Sequence, residues 1–358
     1  MIHTINNLHQ NILSVKFIGR TVNIILCIHY GFWSSFGFLS AIYYLLKGSF
    51  RREQRSVLRG IFWYYWVLIT SKTPVAFLRR NIHRIEKGLV MRPLKAVFAK
   101  NYILSTVEAY SKLITNAAAD PDSIDGHELL WFRSVLTCYF KIVKSDTVID
   151  RARKIFINCE EKSIQEIQTT PMIRSQSEVL QVSYEKFLSL AMRRHSVRWF
   201  LPKTVDRLTV DKALDAAIFA PSACNRMPYE FRLYDDKTQI QKIAAIPMGT
   251  AGFAQNIPVL CVIIGRMDYY MSERDRHVPY IDASLAAMQF MLALETLGLA
   301  SCPINWPDFS LLEIKMSNLL KLKPYERPVL LIALGHPDPG GEIPISLKKS
   351  ISFIRSWN

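Results

Sequence analysis

The chain has 358 residues, 50% hydrophobic and 21% charged, with a formal net charge of +15, which excludes a disordered protein and leaves apolar mass for two domains of roughly 150 residues each. Its six cysteines, at 27, 138, 159, 224, 261 and 302, form no Cys-x-x-Cys pair or regular framework, so a disulfide scaffold and a metal cluster are excluded and a reducing, cytoplasmic location is expected. The positive charge is spread over both halves without zinc-finger spacing or an RNA-binding signature, so nucleic acid is not an expected partner.

The first element in chain order is apolar. Residues 20–47 enclose the run "TVNIILCIHYGFWSSFGFLSAIYYLL", which holds no Asp, Glu, Lys or Arg. A run of that length can cross a bilayer, for which about 20 mostly apolar residues suffice, and it is too long for a signal-peptide core. Asn23, His29, two glycines and three serines dilute it, so an aromatic helix of a soluble core is the competing expectation. Lys47, Arg51, Arg52, Arg55 and Arg59 follow it, against Lys16 and Arg20 before it. If the segment inserts, that excess keeps the rest of the chain in the cytoplasm.

Residues 1–178 are expected to form a helical N-terminal domain, being poor in Gly and Pro. Within "SIDGHELLWFRSVLTCYFKIV", Leu129, Phe132, Leu136, Phe140 and Val143 recur at helical spacing as one apolar stripe. "AAADPDSIDG" (117–126) is a loop by composition, and the polar "SIQEIQTTPMIRSQSEV" (163–179) marks the domain boundary. His83, Glu86 and Lys87 in "NIHRIEKGLVMRP" share a helical face, either lining a cleft or partner surface or forming a Glu–Lys pair that ends a helix at Gly88.

From 179 to 358 the pattern becomes α+β, a sheet between helices. "LTVDKALDAAIFA" predicts a helix capped by Thr209 and stopped by Pro221. "YEFRLYDD" alternates like a strand. "PVLCVIIG" (258–265) and "RPVLLIALG" (327–335) are apolar runs suited to strands covered on both faces. "YIDASLAAMQFMLALETLG" predicts a long buried helix ended by Gly298.

Four stretches carry candidate chemistry. "MRRHSVRWFLP" crowds Arg193, Arg194, His195 and Arg198 around Ser196, a cluster suited to a phosphate monoester or simply to a solvated helix end. "APSACNRMPYEF" offers Asn225, whose amide both donates and accepts, or is an ordinary helix-to-strand loop. In "LGLASCPINWPD" the small Ala300 and Ser301 admit close approach of a flat ligand. "LGHPDPGGEIPISLKKS" ends a strand in a Pro/Gly loop followed by Lys348 and Lys349. No carboxylate–histidine grouping marks a metal site around His127 or His277.

In this order, the four stretches resemble the nitroreductase family of FMN enzymes over residues 186–358. "RRHSVRWF" resembles its arginine-rich signature and "APSACNRMPYEF" its Pro-Ser-x-x-Asn-x-Gln-Pro-Trp segment. The long helix with the loop after it, and "IALGHPD", are similar to its core helix and last core strand. The resemblance implies a nitroreductase-like fold and an FMN phosphate and ribityl chain held by Arg194, His195, Ser196 and Arg198. It places Asn225 at the reactive edge of the ring, Ala300 and Ser301 beside it, and Lys348 or Lys349 on the phosphate. It implies NAD(P)H as electron donor, an acceptor bound at the same face, and a homodimer. Met227 and Tyr229 stand where the family has Gln and Trp. "HRIEKGL" resembles a signature of longer nitroreductase-like proteins, several encoded among surface-polysaccharide genes. The alternative is a non-redox module of this fold acting in cell-envelope polysaccharide assembly.

Overall fold

The protein was analysed as a computed structural model that describes residues 16–70, 74–121, 124–159 and 181–357. The boundary expected at 178/179 lies outside the described residues. The chain divides into two compact units, residues 1–54 and 55–358.

In the first unit, helix α1 (Lys16–Ser34) and helix α2 (Gly37–Lys47) carry the apolar run. They are not one continuous span, because the chain bends by 113° between Ser34 and Gly37. No single described helix is long and apolar enough to cross a membrane. Helix α3 (Arg51–Thr70) begins here and continues into the second unit.

The second unit opens with helices: the rest of α3, α4 (Val75–Leu89), α5 (Lys100–Ala119), α6 (Gly126–Ile142) and α7 (Thr147–Asn158). The stripe read on α6 is inward-facing, with Phe132 and Leu136 fully buried against Leu78, Ile82 and Ile85 of α4 and Ile103 and Val107 of α5. Asp125 and Asp146 cap α6 and α7, their carboxylates accepting from the His127 and Val148 amides. The loop expected over 117–126 is shorter than read, because α5 runs on through the alanines to Ala119.

The mixed region follows as α8 (Tyr184–Arg193), α9 (Arg207–Ala217), β1 (Tyr229–Tyr234), α10 (Lys237–Ala244), β2 (Val259–Arg266), α11 (Val278–Thr296), β3 (Ala300–Asn305), α12 (Ser310–Leu320), β4 (Glu326–Gly335) and a short terminal α13 (Ile351–Ile354). The strands form one antiparallel sheet in the order β1-β2-β4-β3. Side chains alternate across a strand, so a strand covered on both faces is apolar at every position. Leu260, Val262 and Ile264 of β2 pack with Ile240 and Ile243 of α10 and Met316 of α12. Cys261 and Ile263 pack on the other face with Ala213 of α9 and Phe290 and Leu294 of α11. The α+β expectation is met: a helical stretch precedes a four-stranded antiparallel sheet flanked by helices.

Two local expectations are corrected. Asp206, not Thr209, caps α9, its carboxylate accepting from the Leu208 and Thr209 amides and from the Thr209 hydroxyl. Asp is the better acceptor, and the helix starts earlier for it. The stretch after Gly298 is the edge strand β3 rather than a loop. Ala300, Cys302 and Ile304 point inward, and Pro303, which has no N–H to donate, is tolerated at an edge.

Candidate functional site

The basic cluster lies where α8 gives way to extended chain. Arg193 closes α8 and its Nε donates to Glu295 of α11 at 2.8 Å. Beyond it the chain runs along the edge of β3. Ser196 bridges Ser301 in parallel, and the Val197 amide donates to the Ser301 carbonyl at 3.1 Å. Phe200 then bridges Pro337, just past β4. The first and third stretches singled out for their chemistry, at 194–198 and 300–301, therefore meet along one edge.

The cationic groups there are only partly used. Arg198 Nη1 donates to the Ser196 carbonyl at 3.2 Å, and its guanidinium faces the Phe253 ring at 5.9 Å. His195 Nδ1 contacts the Arg193 carbonyl at 2.8 Å. Arg194 Nη1 is buried without a hydrogen-bond partner, and so is Ser301 Oγ. Burial pushes the neighbouring Cys302 thiol up, opposed by the charges of Arg198 and Arg194. A buried donor without a partner costs about 1–3 kcal/mol. An anion at this edge would give the buried Arg194 donor an acceptor, and Ser196 and Arg198 lie on the same segment, so the residues present fit a phosphate-bearing cofactor. Ala300 is buried in register with Gly335.

The 222–228 loop is held by other means. Cys224, Asn225 and Met227 adopt φ of 56°, 50° and 50°, the left-handed region that ordinary side chains seldom occupy. Such strain persists only where surroundings over-determine it. The Ala223 amide donates to Asp282 Oδ2 at 2.9 Å and the Met227 amide to Ser222 Oγ at 3.1 Å. The Asn225 carbonyl accepts from Arg79 Nε at 2.6 Å. Arg79 also pairs with Glu128 and faces the Trp131 ring at 5.3 Å. Burial holds the Glu128 carboxyl above its usual range, opposed by Arg79, and burial likewise raises Asp282. Arg226 stacks on Tyr270 at 4.6 Å. Burial, helped by Asp282, pushes the Tyr229 phenol up to about 12, and its hydroxyl is buried with no partner.

The structure thus joins Arg194, Ser196, Arg198 and Ser301. Asn225 sits exposed on its own strained loop. Lys348 and Lys349 are exposed on an extended tail, and among the described residues no hydrogen bond or ion pair ties them to the cluster. Arg79, Glu128 and Asp282 were not picked out by sequence reasoning. Asp282 had a signal, as a carboxylate in the first half of a largely apolar helix. Arg79 had none, being one arginine in a basic helix. In "HRIEKGL", Glu86 pairs with His83 at 3.7 Å and accepts from Trp131 Nε1 at 3.4 Å, while the helix runs past Gly88 to Leu89. Through Glu86 that segment contacts Trp131, the ring that Arg79 faces, and the helix ends one residue beyond the expected Gly88.

The sheet and its helical cover form a mixed α/β region. The model of the nitroreductase family matches residues 191–251 and 244–336. The match is confined to this region, and the helices before it lie outside the family model. A putative NADH dehydrogenase/NAD(P)H nitroreductase of Methanothermobacter thermautotrophicus is 27% identical over 165 residues, 44% of this chain and 82% of that protein. One of the same description from Archaeoglobus fulgidus is 26% identical over 157 residues, 43% of this chain and 86% of its own. The solved FMN-dependent nitroreductase of Clostridium difficile R20291 shares 26% identity, with a TM-score of 0.39 over 44% of this chain and 91% of that one.

Proposed function

We propose that the protein is an FMN-dependent oxidoreductase that takes electrons from NAD(P)H. The observation that carries this reading is the pair of buried, unpartnered donors, Arg194 Nη1 and Ser301 Oγ, at an edge built by the family-matching segments. We assign Arg194, His195, Ser196 and Arg198 to the phosphate and ribityl chain, and Asn225, Ala300 and Ser301 to the ring. When bound, the flavin supplies hydride chemistry, and the protein contributes position and electrostatics. Arg194 and Arg198 neutralise a dianion, and the strained 222–228 loop fixes where the Asn225 amide can meet a heterocycle edge.

The reading includes a homodimer. The tail beyond Gly341 leaves Leu347, Phe353 and Trp357 at least 85% exposed, which a second copy would cover. Lys348 and Lys349 travel with that tail and would add charge to a phosphate. All six cysteines are free, which supports a cytoplasmic setting for the 55–358 unit.

The test is cofactor identification on the full-length protein. Bound FMN, released by Arg194→Ala with Arg198→Ala while thermal unfolding stays cooperative, is the expected result. Protein that is colourless and takes up no added FMN sinks the proposal and favours a non-redox module.

A further inference from the structure

We infer that residues 21–47 form a monotopic hairpin that enters one leaflet of an anionic bilayer and returns to the same face. The inference is independent of the flavin reading, because it rests on the first unit alone.

Depth is the first argument. Thr21–Ser34 and Gly37–Lys47 are about 21 Å and 16 Å long at a rise of about 1.5 Å per residue. Neither crosses a hydrocarbon core of about 30 Å. The 113° bend turns the second limb back towards the start of the first. Limbs leaning equally reach roughly 14–17 Å along the normal, which is the thickness of one apolar leaflet.

The hydrogen bonding of the bend is the second. Hydrocarbon tolerates only backbone whose polar groups are satisfied internally. The last carbonyls of α1 would otherwise be orphans. Here the Gly31 carbonyl accepts from the hydroxyls of Ser34 at 3.2 Å and Ser35 at 2.7 Å, the Phe32 carbonyl from the Ser35 amide at 3.2 Å, and the Trp33 carbonyl from the Ser40 hydroxyl at 2.9 Å. The serines that dilute the sequence therefore face their own backbone. Asn23, Ser34 and Ser40 face the cleft of about 520 Å³ between the limbs, beside a mainly apolar and aromatic lining that includes Leu26, Trp33 and Tyr43. Ile25, Ile28, Phe32, Phe38, Leu45 and Leu46 are exposed instead.

Charge placement is the third. No ionised residue stands between 21 and 46, yet both ends are basic, with Lys16 and Arg20 before and Lys47, Arg51 and Arg52 after. A hairpin brings both ends to one interface, where anionic head groups meet them. Arg51 is held at the exit: its Nη2 donates to the Leu45 carbonyl at 2.9 Å, and Gly48, at φ 69°, closes α2.

The test is flotation of the full-length protein with phosphatidylcholine vesicles containing phosphatidylglycerol. Gly19→Cys and Ser49→Cys variants are then labelled by an impermeant maleimide and mapped by peptide mass. Co-flotation is expected, with both positions labelled from outside. Phe36→Glu with Phe38→Glu, at the exposed bend, should lower vesicle partition at least about tenfold with helix content unchanged. Absence of flotation overturns the inference, as does labelling of the two positions from opposite faces. Binding that survives the Glu changes but is stripped by salt shows surface adsorption and overturns it too. Self-association without vesicles, abolished by the Glu changes, would assign the face to a second copy instead.

Discussion

Arg79 donates through Nε to the carbonyl of Asn225 at 2.6 Å, across 146 residues of chain. One partner lies on α4, ahead of the family-matching region, and the other lies on the strained loop inside it. The helical stretch therefore helps hold the candidate site. Arg79 is buried and its second contact is the partly buried Glu128, so removing it leaves a largely desolvated carboxylate and a carbonyl unpaired. Arg79→Ala should cost about 3 kcal/mol in denaturant unfolding. Arg79→Lys should recover only part of that, because an ammonium cannot serve two acceptors held in a guanidinium geometry. The loop-holding role predicts a second effect, faster proteolysis within 222–228 than in the wild type at matched global stability.

Asp282 gives the same loop a pH dependence. Its carboxyl accepts from the Ala223 amide, and burial raises its affinity for a proton above that of an unfolded chain. The folded state thus binds the proton more tightly, so this group's contribution is full below the ordinary carboxylate range. It is lost as pH rises through the raised value. Asp282→Asn keeps an oxygen for the Ala223 amide and cannot ionise. Melting temperatures across the acid range should show a smaller decline with rising pH for the variant, while a slope equal to the wild type's refutes the assignment.

What could be read beforehand follows from what each element's fold depends on. β2 and β4 were legible because unbroken apolar runs have few other homes, and α11 because Gly298 stops it at φ 75°. β3 was not, since Pro303 and small residues look like a loop until the pairing with β4 is seen. The bend at Ser34 was equally hidden: composition registers serines as dilution, whereas their bonding to the Gly31 and Trp33 carbonyls is a three-dimensional fact. Arg194, Arg198 and Ser301 were reachable as residue types, but not the burial of the Arg194 and Ser301 donors. Long-range polar contacts such as Arg79 to Asn225 leave no periodic trace.

Gly60 tests how α3 seats on the mixed region. It is buried, and a Cβ there would stand 2.6 Å from the Met267 carbonyl carbon and oxygen. Those are backbone atoms that cannot rotate aside. Gly60→Ala should therefore destabilise by about 2 kcal/mol, although Ala is the better helix former by about 1 kcal/mol. A more stable variant in thermal unfolding would show that this contact can relax.

Arg194 should trade stability against binding. Its Nη1 is a buried charged donor with no acceptor among the described residues. Arg194→Met keeps the length and apolar stem while deleting the orphan. The ligand-free variant should be as stable as the wild type or more so, by about 1 kcal/mol. Added FMN should raise the wild-type melting temperature, since a ligand bound only by the folded state stabilises it by mass action, and should leave the variant unmoved. Paired melting curves with and without FMN measure both effects together. A variant that loses stability without ligand would mean that Arg194 serves packing, and one that still responds to FMN would place the phosphate elsewhere.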